Sequence, residues 1–146
     1  MRGDPAELSL AKDKLTTLGD FEAGAGDDFR LKKVAQAYRV YQRRLADADA
    51  MDFDDLIVNA VRLFETCPDV LEYYQNRFRY LMVDEYQDTN HAQYRFVSLL
   101  AQRSGNLCVV GDDDQSIYKF RGATIENILH FEEDFPAATV VRLEHN

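Results

Sequence analysis

The sequence predicts an α/β fold in which several helices precede a small parallel sheet. Three short apolar runs indicate strands, at residues 80–83, 107–110 and 139–143, and segments of helical character separate them. An order of strand, helix, strand, helix and strand is typical of a parallel sheet. Because the runs are apolar throughout instead of alternating with polar residues, we expect strands that are buried on both faces.

The chain is predicted to begin with a short helix and a linker. Asp4, Pro5 and Glu7 form a helix start signal, and we expect this helix to continue to about Leu15. Residues 17–28 contain three glycines and four acidic residues, which indicates a flexible connector.

Longer amphipathic helices follow the connector. Apolar residues keep helical spacing from residue 29 to residue 47. Asp52 is a capping residue for the next helix, and Pro68 precedes another. Further helices are predicted at residues 90–102 and from residue 124 onward. In the helix after Asp52, the residues expected to face the core are Phe53, Leu56, Ile57, Ala60, Val61 and Phe64.

Composition excludes several classes of protein. Apolar residues make up 46% of the 146, which is too many for a disordered tail. No apolar run approaches the length of a membrane span, and no secretory signal is present, so no membrane contact is expected. The two cysteines, Cys67 and Cys108, cannot form a disulfide framework. We therefore expect a cytoplasmic protein in which Cys108 is a small core residue.

The net charge of −9 is unevenly distributed. Residues 1–50 carry nine basic and nine acidic residues, whereas residues 51–146 carry eight basic and 17 acidic residues. A protein that binds nucleic acid without sequence preference needs many basic contacts to phosphate. The charge by itself therefore argues against such a protein.

Polar clusters follow two of the predicted strands directly. Asp84 and Glu85 come after the first strand, and Gln115 lies in the polar segment after the second. Open parallel sheets bind ligands beyond the carboxyl ends of their strands. Phosphoryl transfer needs a carboxylate for Mg²⁺, a residue that activates water and a group on the γ-phosphate. These three residues could supply those groups, but acidic strand ends also occur where a chain simply enters solvent.

Four segments resemble superfamily 1 helicases of the UvrD/PcrA/Rep group. Residues 81–90 (LMVDEYQDTN) are similar to motif II of these helicases, and residues 109–123 (VVGDDDQSIYKFRGA) are similar to motif III. Residues 51–57 (MDFDDLI) resemble the segment where the chain returns to the first RecA-like domain after an inserted helical subdomain. Residues 143–146 (LEHN) resemble the start of motif IV. The four segments follow the order and spacing of the family.

The resemblance implies a partial RecA-like parallel sheet with flanking helices. Residues 51–146 would be the C-terminal part of the first RecA-like motor domain. Residues 1–50 would belong to the inserted helical subdomain that precedes it.

The resemblance also implies roles at the ATP side of the site. Asp84 would bind Mg²⁺ and Glu85 would activate the attacking water. Gln115 would contact the γ-phosphate and couple its loss to the DNA site, and Gln87 would assist in that coupling. Arg121 would connect motif III to the ATP site through an acidic partner.

Two aromatic residues are implied to contact DNA. Tyr118 and Phe120 would lie against the bases of single-stranded DNA, where stacking contributes about 1–3 kcal/mol per base. The family usually has Trp at the position of Phe120, so a weaker stack is expected there. Without the motif, core packing would be the preferred interpretation of both residues.

The implied function is an ATP-dependent 3′–5′ DNA helicase or translocase in DNA repair or replication. Its cofactors would be ATP and Mg²⁺, and its partners single-stranded DNA and junctions of single- and double-stranded DNA. The phosphate-binding pattern GxxxxGK(S/T) does not occur in the 146 residues. We therefore expect that the chain by itself does not hydrolyse ATP.

Several alternatives remain open. The chain could be a catalytically silent module that binds DNA or protein and keeps only the helicase-like fold. The basic face between Arg30 and Arg44 could contact duplex DNA or could simply be solvated. An exposed sheet edge could mediate self-association. Three consecutive acids at residues 112–114 do not have the alternating spacing of a calcium loop, and the three histidines have no ligand spacing.

Overall fold

A computed structural model describes residues 5–112 and 131–142. Four residues of predicted function lie outside the described residues, as does the segment 143–146 that resembles motif IV. These four are Gln115, Tyr118, Phe120 and Arg121.

Three helices form the first part of the chain. They are α1 (Pro5–Asp13), α2 (Leu18–Gly24) and α3 (Phe29–Asp47). The predictions of helices from Pro5 and from Phe29 are confirmed, whereas the prediction of a flexible connector at residues 17–28 is wrong. The Thr17 hydroxyl accepts the Asp20 N–H and caps α2. The ring of Phe21 then packs edge-on against buried Tyr38 of α3, 6.3 Å between centroids.

Two more helices, α4 (Phe53–Thr66) and α5 (Pro68–Arg77), precede the first strand. Asp52 caps α4 in a reciprocal capping box with Asp55, as a carboxylate at this position should. Helix α4 packs against α1, α5 and α6 (His91–Ala101). It is therefore the central helix of the described residues.

The hydrophobic core lies where α4, α5 and α6 meet. Its buried cluster consists of Val61, Phe64, Leu99 and Leu100. The ring of Phe64 stacks on Phe96 at 5.5 Å between centroids. Burying such a ring contributes about 1.5–3 kcal/mol relative to leaving it in water.

The prediction of which face of α4 is buried was partly wrong. Phe53 is 90% exposed and Leu56 is 50% exposed, whereas Asp55 and Val58 are buried. Val61 of the predicted stripe is buried as expected. Packing against α1, α5 and α6 turns the side of α4 that carries Asp55 and Val58 inward, so Phe53 and Leu56 at the margin of the stripe face solvent.

The sheet in the described residues has two parallel strands, β1 (Leu81–Val83) and β2 (Leu107–Val109). A short 3₁₀ turn (Tyr86–Asp88) and helix α6 connect them, which makes a β-α-β unit. Leu81 pairs with Leu107, and Leu81 packs against the core cluster. The predicted strands and the intervening helix are thus confirmed.

The expectation that the strands are buried on both faces is wrong. Met82 and Cys108 are cross-strand partners, Met82 is 79% exposed, and Cys108 is exposed. Within the described residues, helices cover only the opposite face of the sheet, so a side chain that points away from them meets solvent. Cys108 is therefore not the core residue that its apolar neighbours predict.

The last described segment contains helix α7 (Phe131–Asp134). This agrees with the helix predicted after residue 124, most of which lies outside the described residues. The third predicted strand is wrong over residues 139–142, which form no strand. Val140 and Val141 are 55% and 74% exposed, and an apolar run forms a strand only where a neighbouring strand pairs with it. No helix in the part of the chain that the structure describes is long and apolar enough to cross a membrane.

Candidate functional site

The fold brings together the carboxyl ends of the two strands. The Val110 N–H donates to Val83 O at 2.8 Å, and the Tyr86 N–H donates to Val110 O at 2.9 Å. Asp84 and Glu85 therefore lie at the same edge of the sheet as Asp112, which is three residues beyond the end of β2. This is the edge at which the sequence predicts a ligand site.

Glu85 has an unusual backbone conformation. Its φ of 51° and ψ of 41° lie in the left-handed region, which costs a residue with a Cβ roughly 1–2 kcal/mol. The Asp84 Oδ1 accepts the Glu85 N–H at 2.9 Å and supports the turn. Both residues are exposed to solvent. Such conformations in non-glycine residues are concentrated at functional sites.

Gln87 connects the two strand ends through its side chain. Gln87 is 2% exposed, so its side-chain amide is buried. Its Nε2 donates to Glu85 Oε2 at 2.7 Å, and its Oε1 accepts the Asp112 N–H at 3.0 Å. The sequence pointed to Gln87 but gave no indication of this bridge, because the two partners come from separate strands.

A cavity of about 360 Å³ opens next to these residues. Asp84, Glu85 and Asp88 supply its carboxylates, and Ile57 and Phe96 supply much of its apolar wall. Acidic oxygens beside an apolar surface can bind a hydrated cation and one end of an organic ligand.

The donor chemistry of this site fits Mg²⁺ with nucleotide phosphates. Among the described residues, no group of three or more His, Cys, Asp or Glu side chains is arranged to hold a metal. Mg²⁺ in nucleotide sites commonly uses one or two carboxylates and completes its shell with water and phosphate oxygens. Exposed Asp84 and Glu85 at the end of β1 meet that smaller requirement.

A second polar cluster, which the sequence did not reveal, joins α1, α3 and α4. The Lys12 side chain is 2% exposed, and its Nζ lies 2.6 Å from Asp52 Oδ2 and 2.8 Å from Asp55 Oδ1. The Tyr41 hydroxyl donates to Asp52 Oδ2 at 2.9 Å, and Gln42 Nε2 donates to Asp55 Oδ1 at 3.2 Å. We call these five residues the Lys12 cluster.

The Lys12 cluster shifts the pKa values of Lys12 and Asp52. Burial opposes the charge on Lys12, but hydrogen bonds to Asp52 and Asp55 outweigh it and raise the Lys12 pKa. Burial likewise disfavours the Asp52 carboxylate. Hydrogen bonds from Lys12, the Asp55 N–H and Tyr41 outweigh that effect and lower the Asp52 pKa. Lys12 and Asp52 therefore both remain charged across neutral pH.

The basic face of α3 is partly neutralised within the chain. Several of its cations pair with carboxylates that precede α3 in the sequence, at exposed positions where an ion pair contributes little stability. The pairs are Arg30 with Glu7, Lys32 with Asp27 and Arg39 with Glu22. This pairing favours a solvated helix over a duplex-binding surface.

Comparison with known proteins now adds to this geometry. A family profile described as the UvrD/REP helicase N-terminal domain matches residues 6–136. The chain belongs to this helicase family. The match includes β1, β2 and the strand ends that carry Asp84, Glu85 and Gln87. The resemblance to UvrD/PcrA/Rep helicases is thereby confirmed.

Two bacterial helicases are among the relatives of the chain. The chain is 55% identical over 139 residues to the ATP-dependent DNA helicase PcrA of Staphylococcus epidermidis, and equally so to that of Staphylococcus aureus. The alignments cover 95% of this chain but 19% of each relative. The chain therefore spans about a fifth of the length of these helicases.

Proposed function

We propose that this chain is part of the motor of an ATP-dependent 3′–5′ DNA helicase or translocase that acts in DNA repair or replication. One observation carries the proposal. In a chain of the UvrD/REP family, two exposed carboxylates at the end of β1 lie against the start of the segment that resembles motif III. The same end of the sheet has the carboxylate oxygens that Mg²⁺ prefers.

In this proposal, residues at the strand ends act on ATP. Asp84 would hold Mg²⁺, and Glu85 would accept a proton from the attacking water. Gln115 contacts the γ-phosphate, and Arg121 connects its segment to the ATP site. Bound Mg²⁺ would neutralise the charge that develops on the phosphates during transfer.

Two residues of the segment that resembles motif III would contact DNA. Tyr118 and Phe120 stack on bases of single-stranded DNA, which is a contact that tolerates any sequence. In the complete protein the partners include single-stranded DNA and junctions of single- and double-stranded DNA. A cytoplasmic location is part of the same proposal.

The proposal also assigns the two parts of the chain. Residues 51–146 belong to the first RecA-like motor domain and residues 1–50 to an inserted helical subdomain, with α1 packed against α4 and α6 across that division. The phosphate-binding loop and the arginine finger would come from outside these 146 residues. We therefore infer that the chain by itself does not turn over ATP.

Single-stranded-DNA-stimulated ATP hydrolysis by the complete encoded protein tests the proposal. Glu85→Gln should lower kcat by about 10²- to 10⁴-fold, the usual contribution of a general base. Glu72→Gln is the matched control, because this exposed carboxylate lies on α5 and pairs with Arg103. We expect normal turnover from the control and none from the 146-residue chain.

A catalytically silent binding module is the second candidate, and the absence of the GxxxxGK(S/T) pattern favours it. The same assay separates the two candidates. A complete protein that binds single-stranded DNA but shows no DNA-dependent turnover would be such a module.

Self-association is a further part of the proposal. An exposed edge of the sheet would pair with a second copy of the chain through its backbone N–H and C=O groups. Size-exclusion chromatography with light scattering tests this, and a strictly monomeric mass at all concentrations contradicts it.

A further inference from the structure

We propose that Gln87 is a positioning residue that fixes the Glu85 carboxylate relative to the chain leaving β2. This inference rests on the proposed function, in which Glu85 activates water. It assigns Gln87 a role that acts through Glu85 instead of a direct contact with nucleotide. The observation that carries it is the bridge from Glu85 Oε2 through the Gln87 amide to the Asp112 N–H.

Hydrogen-bond chemistry fixes the direction of the Gln87 amide. A backbone N–H can only donate, so the Asp112 N–H must face the amide oxygen of Gln87. The amide nitrogen then necessarily faces Glu85, where an ionised carboxylate can only accept. The bridge therefore supports Glu85 in the state that a general base needs.

Burial makes the Gln87 bridge rigid. The residue is 2% exposed and is among the largest side chains that are fully buried. An unpaired buried amide would cost about 1–3 kcal/mol, so both of its bonds are strongly favoured. Exposed Glu85 has a flexible side chain on a left-handed backbone, and the amide restricts its rotamers. A group this buried and this engaged is poorly placed to touch a nucleotide itself.

The Gln87 bridge also links Glu85 to a second segment. Asp112 lies at the start of the segment in which the proposed function places the γ-phosphate and DNA contacts. A displacement of the Asp112 backbone would withdraw the N–H donor from the Gln87 amide oxygen and would loosen the hold of Gln87 on Glu85. We therefore infer that stimulation of turnover by DNA depends on Gln87.

Two substitutions in the complete protein test this role. Gln87→Glu is nearly isosteric and keeps an acceptor for the Asp112 N–H, but it places an oxygen against the Glu85 carboxylate. Gln87→Leu removes both hydrogen bonds. Gln75→Leu is the matched control, because Gln75 Nε2 donates to Leu99 O at 2.7 Å in a purely structural contact on α5. The readouts are kcat and KM for ATP with and without single-stranded DNA, and the midpoint of thermal unfolding.

A positioning role predicts a specific combination of results. Both Gln87 variants should lose about 10- to 100-fold in DNA-stimulated kcat, the effect of a misplaced catalytic group. KM for ATP should stay within about twofold, because uniform nucleotide binding is intact. Both Gln87 variants should also lower the unfolding midpoint, because Gln87→Glu buries a carboxylate against Glu85 and Gln87→Leu removes two buried hydrogen bonds. Turnover is therefore measured at a temperature where every variant is folded, with Gln75→Leu as the destabilised reference. Gln75→Leu should change stability without changing kcat.

Other results overturn the inference. Unchanged kcat in both Gln87 variants rules out positioning, and a raised KM with unchanged kcat indicates direct nucleotide contact instead. A wild-type protein without DNA-stimulated turnover, or a Glu85→Gln variant as active as wild type, refutes the proposed function and the inference with it. An active wild type with a silent Glu85→Gln variant and fully active Gln87 variants refutes only the inference.

Discussion

The ammonium group of Lys12 lies 2.6 Å from the Asp52 carboxylate, although the two residues are 40 positions apart in the sequence. Asp52 also caps α4, so this one carboxylate joins the end of α1 to the start of the central helix. The buried Asp55 carboxylate completes the pairing with Lys12. The Lys12 cluster thereby fixes the position at which α1 packs against α4.

Replacing Lys12 by Met should strongly destabilise the chain. The substitution keeps the aliphatic volume but leaves the Asp55 carboxylate buried without a cation, and removing one partner of a buried pair costs about 3–5 kcal/mol. We expect a value near the lower end, because the Asp52 side chain keeps 22% exposure to water. Urea unfolding followed by far-ultraviolet circular dichroism measures the change. Lys14→Met, at an exposed position on the same segment, should stay within about 0.5 kcal/mol of wild type.

Asp52→Asn should make the chain less sensitive to acid. The folded-state pKa of Asp52 lies below its ordinary value of 3.8, so its charge stabilises the fold above that value and ceases to do so as the pH falls through the folded pKa. Asn still caps α4, which isolates the effect of charge. Unfolding free energies from pH 7 to pH 2.5 should differ between wild type and variant at neutral pH and should begin to converge only as the pH falls below about 3.8 toward the lowered pKa of Asp52. A constant difference over that range would contradict this assignment.

Phe64→Ala and Phe53→Ala should differ greatly in effect, although both residues lie on α4. Phe64 is 6% exposed and stacks on Phe96, so its removal should cost about 3–5 kcal/mol. Phe53 is 90% exposed, and its removal should cost less than about 0.5 kcal/mol. Chemical denaturation of the two variants measures both values. Equal losses would mean that α4 is rotated about its axis from the described orientation.

Tyr86→Phe should remove part of the alkaline destabilisation of the chain. Burial raises the pKa of Tyr86 to about 12, so the folded chain retains a proton that the unfolded chain releases near pH 10. The contribution of Tyr86 to the free energy of unfolding is fully present below about pH 10. About 3 kcal/mol of it is lost as the pH rises toward 12. The loss between pH 9 and pH 11.5 should be smaller in Tyr86→Phe than in wild type. Tyr80→Phe, at an 82% exposed position, should behave as wild type.

Most helices of the fold could be predicted because their signals are local. A capping residue, a proline at the first position and a 3.6-residue period act within one helix, so Asp52 and Pro68 mark the starts of α4 and α5 correctly. Helix α2 was missed because glycines and acids dominate its composition. The contact of Phe21 with Tyr38 and the Thr17 cap compensate for that composition.

The candidate site could be predicted only in part. The placement of Asp84 and Glu85 at a strand end follows from the sequence, and their proximity to Asp112 follows from the geometry of parallel strands. The Gln87 bridge does not follow, because it depends on the left-handed turn at Glu85 and on the register of β1 with β2. The roles of the site residues in ATP hydrolysis stay predictions.

The sequence by itself determined the family, the positions of most helices and the two strands that carry the site. It could do so because motifs and periodicity are properties of neighbouring residues. The tertiary structure alone decided which side of α4 is buried, that Cys108 faces solvent, that Lys12 is paired with Asp52 and Asp55, and that Gln87 holds Glu85. Each of these features depends on contacts between residues or elements that only the packed chain brings together. Such contacts set the energies of burial and of hydrogen bonds.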